Sequence, residues 1–255
     1  MWTSVFALPL PLLALSVFVL LTMAEWLGCR LRARFPGNSD APASDLGNIQ
    51  TSVFALLGLL IAFTFGLALD RYETRRDMVI QEANAIGTAH IRTAFSAEPV
   101  RTGLRTALED YARHRLSYGR AEPDERLRLL PQAVQMRAEL AKLGVTASEN
   151  VSSPPLGPAL IDSINTVIDI GGEREANGLA HVPASVAWLL LSYAAIAAVL
   201  LGYSRSGQVR PLAAANALLL LLLTLALAMI ADLDRPASGT ITVSQFPMEA
   251  LVAGF

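Results

Sequence analysis

The chain has 255 residues, of which 53% are hydrophobic and 16% charged, and its formal net charge is −2. Proteins that bind nucleic acid normally present a basic surface, so this balance argues against nucleic acid as a partner. The single cysteine, Cys29, excludes an internal disulfide bond and a cysteine-based metal site.

Four long stretches of the chain contain no Asp, Glu, Lys, Arg or His. They comprise residues 1–24, 46–69, 182–204 and 211–231. Each is about 20 residues or longer, enough for a helix to cross a hydrocarbon core roughly 30 Å thick. The N-terminus lacks the positive region of a cleaved signal peptide, so we expect the first span to be retained. The sequence therefore predicts a multi-pass protein of the bacterial cell (inner) membrane, with the lipid bilayer as a partner.

The polar segment between the second and third spans, residues 71–181, has helical periodicity throughout. No alternation of apolar and polar residues long enough for a β-strand is present in it. Helices are predicted over residues 48–95, over 99–118, from 122 onwards, and after a linker at 150–158, the last with a break at Gly171 and Gly172.

The predicted fold class is all-α integral membrane: four transmembrane helices with a helical soluble domain inserted between the second and third. The corresponding segments are residues 1–70, 71–181, 182–235 and a short C-terminal tail at 236–255. The side of the membrane that carries the soluble domain stays open, because arginines near the span ends are divided equally between the two sides. The uncharged N-terminus, followed by three arginines, favours an outside domain.

Charged residues of both signs follow the second span directly. If this helix lines a pore, these charges lie at its mouth, and two aromatic residues about two turns deeper form a hydrophobic constriction. The candidates for mouth and constriction are Asp70, Arg71, Arg75, Arg76, Phe63 and Phe65. The alternative is an interfacial collar whose arginines extend to lipid phosphates, and the charge pattern by itself favours the collar.

Small residues recur every four positions inside two of the spans. These stripes consist of Gly58, Ala62 and Gly66 in the second span and of Ala194, Ala198 and Gly202 in the third. Such stripes let helices approach closely and therefore predict packing faces, for which we expect a homo-oligomer to supply partners. No ionisable residue lies in the middle of an uncharged span, which disfavours a proton relay or a transporter of charged substrates.

A polar seam is predicted where small residues surround Glu82 and Asn84, within residues 82–89. Close packing would exclude water there and leave Glu82 in need of a positive partner, for which we expect an arginine. A packing seam and a functional site fit this pattern equally well.

Signatures of enzymes are missing from the sequence. There is no glycine-rich phosphate loop, no metal-binding His/Glu spacing and no nucleophile elbow. We therefore expect neither an enzyme nor a cofactor. His114 lies between Arg113 and Arg115 in what we interpret as a solvated helix face.

Two carboxylates, Asp232 and Asp234, lie where the last span ends. Carboxylate oxygens bind Ca²⁺, but two ligands do not define a metal site, so none is expected. We interpret the aspartates as part of a charged helix terminus that pairs with Arg71 or Arg75.

Four pieces of the sequence form a recognisable set: residues 56–63; Arg71-Tyr72 with Arg75-Arg76; residues 82–89; and residues 232–236 with Gly239 and Val243-Ser244. Together they resemble the bacterial bestrophin-like domain proteins, a family without assigned function, over nearly the whole chain. That family is similar to the bestrophins, which are oligomeric anion channels. The shared spacing consists of Phe63, Asp70, Arg71, Tyr72 and Arg76. Bacterial bestrophins carry Arg and Asn after the Phe, where this chain has residues 64–66, Thr-Phe-Gly.

The resemblance implies a homo-oligomeric channel or pore that passes small anions, with the second span lining the conduit. It also implies a cytosolic soluble domain. The alternative function is a non-conducting membrane sensor or assembly factor whose helical domain binds a protein partner.

Overall fold

The computed structural model describes residues 9–35, 43–205, 211–235 and 239–255, and this part of the chain contains helices and no β-strand. A 3₁₀ turn, Thr93–Phe95, follows the second helix. Numbered in chain order, the helices are α1 (Leu10–Arg34), α2 (Ala43–Arg92), α3 (Val100–Arg120), α4 (Pro123–Glu149), α5 (Leu156–Leu179), α6 (Ala184–Arg205), α7 (Pro211–Leu233) and α8 (Phe246–Ala253).

The chain forms two compact units, the first of which contains residues 1–70 and 181–235. It comprises α1, the first part of α2, α6 and α7. The apolar side chains at its centre come from all four of these helices and include Leu21, Leu57, Ala198 and Leu220. Four helical stretches are long and apolar enough to cross a membrane: Leu10–Arg34, Leu46–Phe95, Leu156–Ser204 and Ala214–Leu233.

The closest helix crossing in the first unit joins α1 to α6 and depends on two glycines. A Cβ atom built on Gly202 would lie 1.8 Å from the carbonyl oxygen of Glu25, and one on Gly28 would lie 2.0 Å from the carbonyl oxygen of Val199. The Sγ of Cys29 donates a hydrogen bond of 3.2 Å to the carbonyl oxygen of Gly202. The backbones therefore touch, as the small-residue stripe of the third span predicts.

A carboxylate is buried within the first apolar helix. The helix α1 continues to Arg34, well past the end of the uncharged stretch at residue 24, and so includes Glu25. The Nδ2 of Asn216 in α7 donates a hydrogen bond of 3.1 Å to Oε1 of Glu25. An acidic side chain among apolar helices needs such polar neighbours, because lipid cannot solvate it.

The second unit contains residues 71–180 and 236–255. Each of its helices contributes to one apolar core: Ile86 from α2, Leu108 from α3, Leu140 from α4, Ile164 from α5 and Met248 from α8. The short C-terminal tail contributes to this core through α8, which inserts Met248 into it.

The break predicted at Gly171 and Gly172 is wrong, since α5 runs without interruption from Leu156 to Leu179. Gly171 has a packing role instead. A Cβ atom at this position would lie 2.2 Å from the hydroxyl oxygen of Tyr111 in α3. The glycine therefore allows a polar side chain of another helix to reach the α5 backbone.

We expect Gly202→Ala to lower the thermal stability of the detergent-solubilised protein. The new methyl group would overlap backbone rather than a movable side chain, so α1 and α6 must separate, and overpacking of this kind typically costs about 1–3 kcal/mol. The control is Gly47→Ala in α2, where nothing lies within 4 Å of the added carbon. Equal melting temperatures for the two variants would contradict the prediction.

Candidate functional site

The helix α2 has one face toward its own chain and another face exposed. Leu57, Thr64 and Ala68 are buried, and Leu57 belongs to the apolar core of the first unit. The exposed face carries Phe63, which is 68% exposed, whereas Phe65, at 37%, points in a different direction because it is two residues along the helix. Among the described residues, this face of α2 therefore has no covering helix around Phe63.

The small-residue stripe of α2 lies on exposed surface of the single chain. Gly58, Ala62 and Gly66 are all exposed. A Cβ atom at Gly58 or Gly66 would have no described atom of the rest of the protein within 4 Å. The stripe is thus not a packing face among the described residues of the chain.

The charged residues after the second span do not share one environment. Asp70 and Arg76 are exposed, Arg71 is half-buried and Arg75 is buried. Arg76 pairs with Asp77, with 3.5 Å between Nε and Oδ1. Arg75 donates a hydrogen bond of 3.4 Å to the carbonyl oxygen of Ala180. Of the three arginines suggested for a pore mouth, Arg75 therefore points into the second unit.

The carboxylate of Glu82 lies at the centre of a buried ionic network. Glu82 and Arg115 are both fully buried. Arg115 Nε donates to Oε1 of Glu82 at 2.6 Å, and Arg174 Nη1 donates to Oε2 at 2.5 Å. The hydroxyl of Tyr111 adds a third hydrogen bond to Oε1, of 3.1 Å. Glu82 thus meets two arginines from two different helices.

The network continues to a second carboxylate, that of Glu175 on α5. Arg115 Nη1 donates to its Oε1 at 2.7 Å. Arg137 from α4 donates to both oxygens, at 2.5 and 2.9 Å. The Nη2 of Arg174 donates to Oε1 of Gln245, the residue before α8, at 2.7 Å. Every helix of the second unit therefore contributes to the network or adjoins a residue that does.

The charges of the network hold one another in the ionised state. Burial by itself would raise the pKa of the Glu82 carboxyl, but the adjacent Arg115 and Arg174 guanidiniums hold it below its usual value. Burial also raises the pKa of the Tyr111 hydroxyl, and the charge of Glu82 adds to that shift. Tyr111 therefore remains a hydrogen-bond donor to Glu82 at neutral pH.

Asn84 differs from the sequence prediction, because its side chain is exposed and does not join the seam around Glu82. A helix turns 100° per residue, so residues two apart point to widely different directions. The small residues near Glu82 pack as expected: Ala83 and Ala89 are buried, and a Cβ atom at Gly87 would lie 3.3 Å from Leu251 of α8.

The expectation of a solvated face at residues 113–115 holds for Arg113, which is exposed, but is wrong for the two residues after it. Arg115 is fully buried, and His114 is 8% exposed. Burial lowers the pKa of His114, with a further contribution from the charge of Arg115. The signal that could have located Arg115 is its position on the apolar stripe of α3, which consists of Leu104, Leu108, Tyr111 and Arg115.

The two aspartates at the end of α7 are both buried. Oδ1 of Asp234 accepts a hydrogen bond of 2.9 Å from the backbone N–H of Val182. Its Oδ2 lies 3.4 Å from Nδ1 of His181. Asp234 therefore pairs with the segment that precedes α6. No group of three or more metal-binding side chains exists in the described residues, Asp232 and Asp234 included.

Comparison with known proteins gives a consistent result for family and fold. The profile of the Bestrophin-like domain family matches residues 17–248. A structure of a bacterial bestrophin homologue from Klebsiella pneumoniae is 13% identical, with a TM-score of 0.63 over 94% of this chain and 94% of that one. A single-substitution variant of such a homologue from Klebsiella pneumoniae matches with a TM-score of 0.64 and 13% identity, over 93% of this chain and 94% of that one. A second such variant matches with a TM-score of 0.65 and 12% identity, over 94% of this chain and 93% of that one.

At these identities the likeness to solved structures is one of fold. The chain therefore has an all-helical, bestrophin-like fold, and its apolar helices make it a membrane protein. The comparison with curated protein sequences gives no match.

We expect Glu82→Gln to destabilise the protein strongly. Removing one charge of a buried pair typically costs about 3–5 kcal/mol, because the other charge remains buried without compensation. The matched control is Glu98→Gln, since Glu98 is exposed and bonds only to the nearby Thr102 and Arg101. Thermal unfolding of both variants measures the difference, and equal small shifts would show that the network does not stabilise the fold.

The effect of Glu82→Gln should depend on pH. Because the folded-state pKa of Glu82 lies below the usual value of 4.5, its charge stabilises the folded state above that value. The stabilisation disappears as the pH falls through the folded-state pKa. Wild type and Glu82→Gln should therefore differ most at neutral pH and converge in acid, as urea titrations at several pH values would measure. A difference that stays constant with pH would contradict this prediction.

Proposed function

Because this chain belongs to the Bestrophin-like domain family, we propose that it is the subunit of an oligomeric, anion-conducting pore in the bacterial inner membrane, with α2 lining the conduit. The observation that carries the proposal is the exposed apolar face of α2 around Phe63. A pore-lining helix packs on its own subunit with one face and leaves the opposite face open. Bestrophins, which this family resembles, are oligomeric anion channels.

The small-residue stripe on α2 supports assembly from several copies of the chain. Gly58, Ala62 and Gly66 leave a shallow groove with no described neighbour. In a bilayer, lipid tails are as apolar as leucine side chains, so apolar surface alone does not drive helices together. Helices associate instead where small residues permit close contact of their backbones. We infer that the α2 helices of neighbouring subunits meet along this groove.

The pore has a constriction and a charged mouth in this proposal. Rings of Phe63 from several subunits narrow the path and exclude water when the pore is closed. Arg71 and Arg76 supply positive charge at the mouth, while Asp77 offsets part of the charge of Arg76. Because Arg75 is buried in the second unit, anion selection at the mouth depends mainly on Arg71.

The second unit is the proposed soluble domain, inserted between the second and third spans. Its surface carries exposed ion pairs, such as Arg113 with Asp110 at 2.8 Å and Arg120 with Glu249 at 2.9 Å. A bilayer interior would not accommodate such charges on a lipid-facing surface. The unit therefore belongs in water, next to the membrane.

The proposal is tested by anion flux into proteoliposomes that contain the purified protein. We expect chloride flux above that of empty vesicles for wild type. Arg71→Ala should reduce the flux roughly twofold or more at low ionic strength, and the reduction should shrink as salt screens the mouth. Phe63→Ala should raise the flux several-fold, since it removes the hydrophobic constriction.

The control for this experiment is Arg128→Ala, which removes an exposed arginine of α4 far along the chain from α2. Its flux should equal that of wild type. If wild-type protein passes no anions above empty vesicles, the pore proposal fails. The non-conducting sensor or assembly factor then takes its place.

Assembly through the α2 groove is tested by Gly58→Leu and Ala62→Leu. Each should shift the detergent-solubilised protein to a smaller species on size-exclusion chromatography with light scattering, because leucine fills the groove. Gly103→Leu is the control, since Gly103 is an exposed glycine of α3 with nothing within 4 Å of an added carbon. An unchanged mass for both α2 variants would show that the groove is not a subunit contact.

A further inference from the structure

The second unit contains a small cavity beside the Glu82 network. Its walls include three arginines, Arg75, Arg126 and Arg174, together with Tyr118 and Gln245. The space open to the centre of a water-sized sphere is about 30 Å³, more than the roughly 10–15 Å³ that one water molecule needs. None of the described residues that line it is acidic. The cavity therefore combines positive walls with room for a single small particle.

The two carboxylates of the network next to this cavity are already engaged by arginines. Glu82 and Glu175 already pair with three arginines, which are Arg115, Arg137 and Arg174. Arg126 adds a further guanidinium. Its hydrogen bonds, of 2.9 and 2.8 Å, go to the carbonyl oxygens of Ala121 and Gly119, which bear no net charge. The hydrogen bonds of Arg126 thus go to neutral groups, and the negative charge that acts on it comes from Glu122 and not from the network carboxylates.

The electrostatic consequence is visible at Arg126 itself. Burial lowers the pKa of its guanidinium, and repulsion by Arg174 adds to this, more than the attraction of Tyr118 and Glu122 offsets. A group that is driven towards losing its proton gains stability from a nearby negative charge. The environment of Arg126 is therefore one that an anion would improve.

Three guanidiniums gather around the ring of Tyr118. Their carbon atoms lie 4.7 Å from the ring centroid for Arg115, 5.6 Å for Arg126 and 5.9 Å for Arg174. The electron-rich faces of an aromatic ring attract cations, but this attraction is weaker than the pairing of two full charges. The three guanidiniums therefore lie close to one another, and the ring does not remove the repulsion between their charges.

The cavity also adjoins the segment that leads into α8. Gln245 accepts the hydrogen bond of Arg174 at 2.7 Å and donates one of 3.0 Å to the carbonyl oxygen of Val243. A Cβ atom at Gly119 would lie 2.0 Å from Oε1 of Gln245. The amide of Gln245 is therefore held tightly between α3 and α5, at the edge of the positive cavity.

We propose that this cavity binds one small monovalent anion of the size of chloride, held by the guanidiniums of Arg126 and Arg174. The bound anion offsets the repulsion between these arginines and so fixes the Gln245 segment, with α8, against α3 and α5. The cavity has room for an ion of this size. This site lies in the second unit and does not depend on conduction through α2.

The test is the thermal unfolding of the purified full-length protein in detergent, with chloride replaced by gluconate at constant ionic strength. Gluconate is a much larger anion than chloride, and its charge is spread over a carboxylate. Wild type should melt roughly 3–5 °C higher when chloride is present at about ten times its dissociation constant, and the rise should saturate. Bromide should act like chloride, and its anomalous scattering would locate the ion in crystals.

Arg126→Gln should lose the chloride-dependent part of the melting temperature, whatever its basal stability. Arg126→Lys, which keeps the charge, should retain part of the response. Arg128→Gln, the matched control two residues along α4 and exposed, should respond like wild type. Equal melting temperatures of wild type in chloride and gluconate would overturn the proposal. So would a chloride response in Arg126→Gln as large as that in wild type.

Discussion

The second unit depends on one buried ionic contact, the carboxylate of Glu82 between Arg115 and Arg174. Removing two charges from water costs free energy, and their mutual attraction offsets this desolvation penalty only when the ion pair has good geometry. The contact therefore fixes the positions of α2, α3 and α5 relative to one another within narrow limits. Through Gln245 and Arg137 it extends to the segment before α8 and to α4.

The packing around this contact follows from its geometry. Tyr111 reaches Glu82 only because Gly171 offers no side chain in its way, and Gln245 reaches Arg174 only because Gly119 offers none. Small residues thus serve two purposes in this protein. In the second unit they admit polar side chains to a buried network, whereas at Gly28 and Gly202 of the first unit they admit backbone against backbone.

The first unit illustrates a different constraint, since its helices offer apolar surface outward. A single copy of the chain leaves the face of α2 around Phe63 exposed, whereas Leu57 on the other face is buried in the unit's core. Lipid can cover apolar surface. A row of small residues such as Gly58 and Gly66, in contrast, favours close contact with another helix rather than with lipid. The proposed oligomeric pore reconciles these two features, because neighbouring subunits use the row and the conduit uses the exposed aromatic residues.

The sequence by itself determined the spans, their helical character and the family, because a bilayer imposes length and apolarity that can be counted residue by residue. It also predicted an arginine opposite Glu82 from the small residues around it. Only the tertiary structure decided which arginines these are, since Arg115 and Arg174 lie 33 and 92 residues from Glu82 along the chain. The role of Gly171 likewise depends on a neighbour distant in sequence, Tyr111, which local periodicity does not encode. The burial of Arg115 and the exposure of Asn84, in contrast, agree with their positions on helix faces.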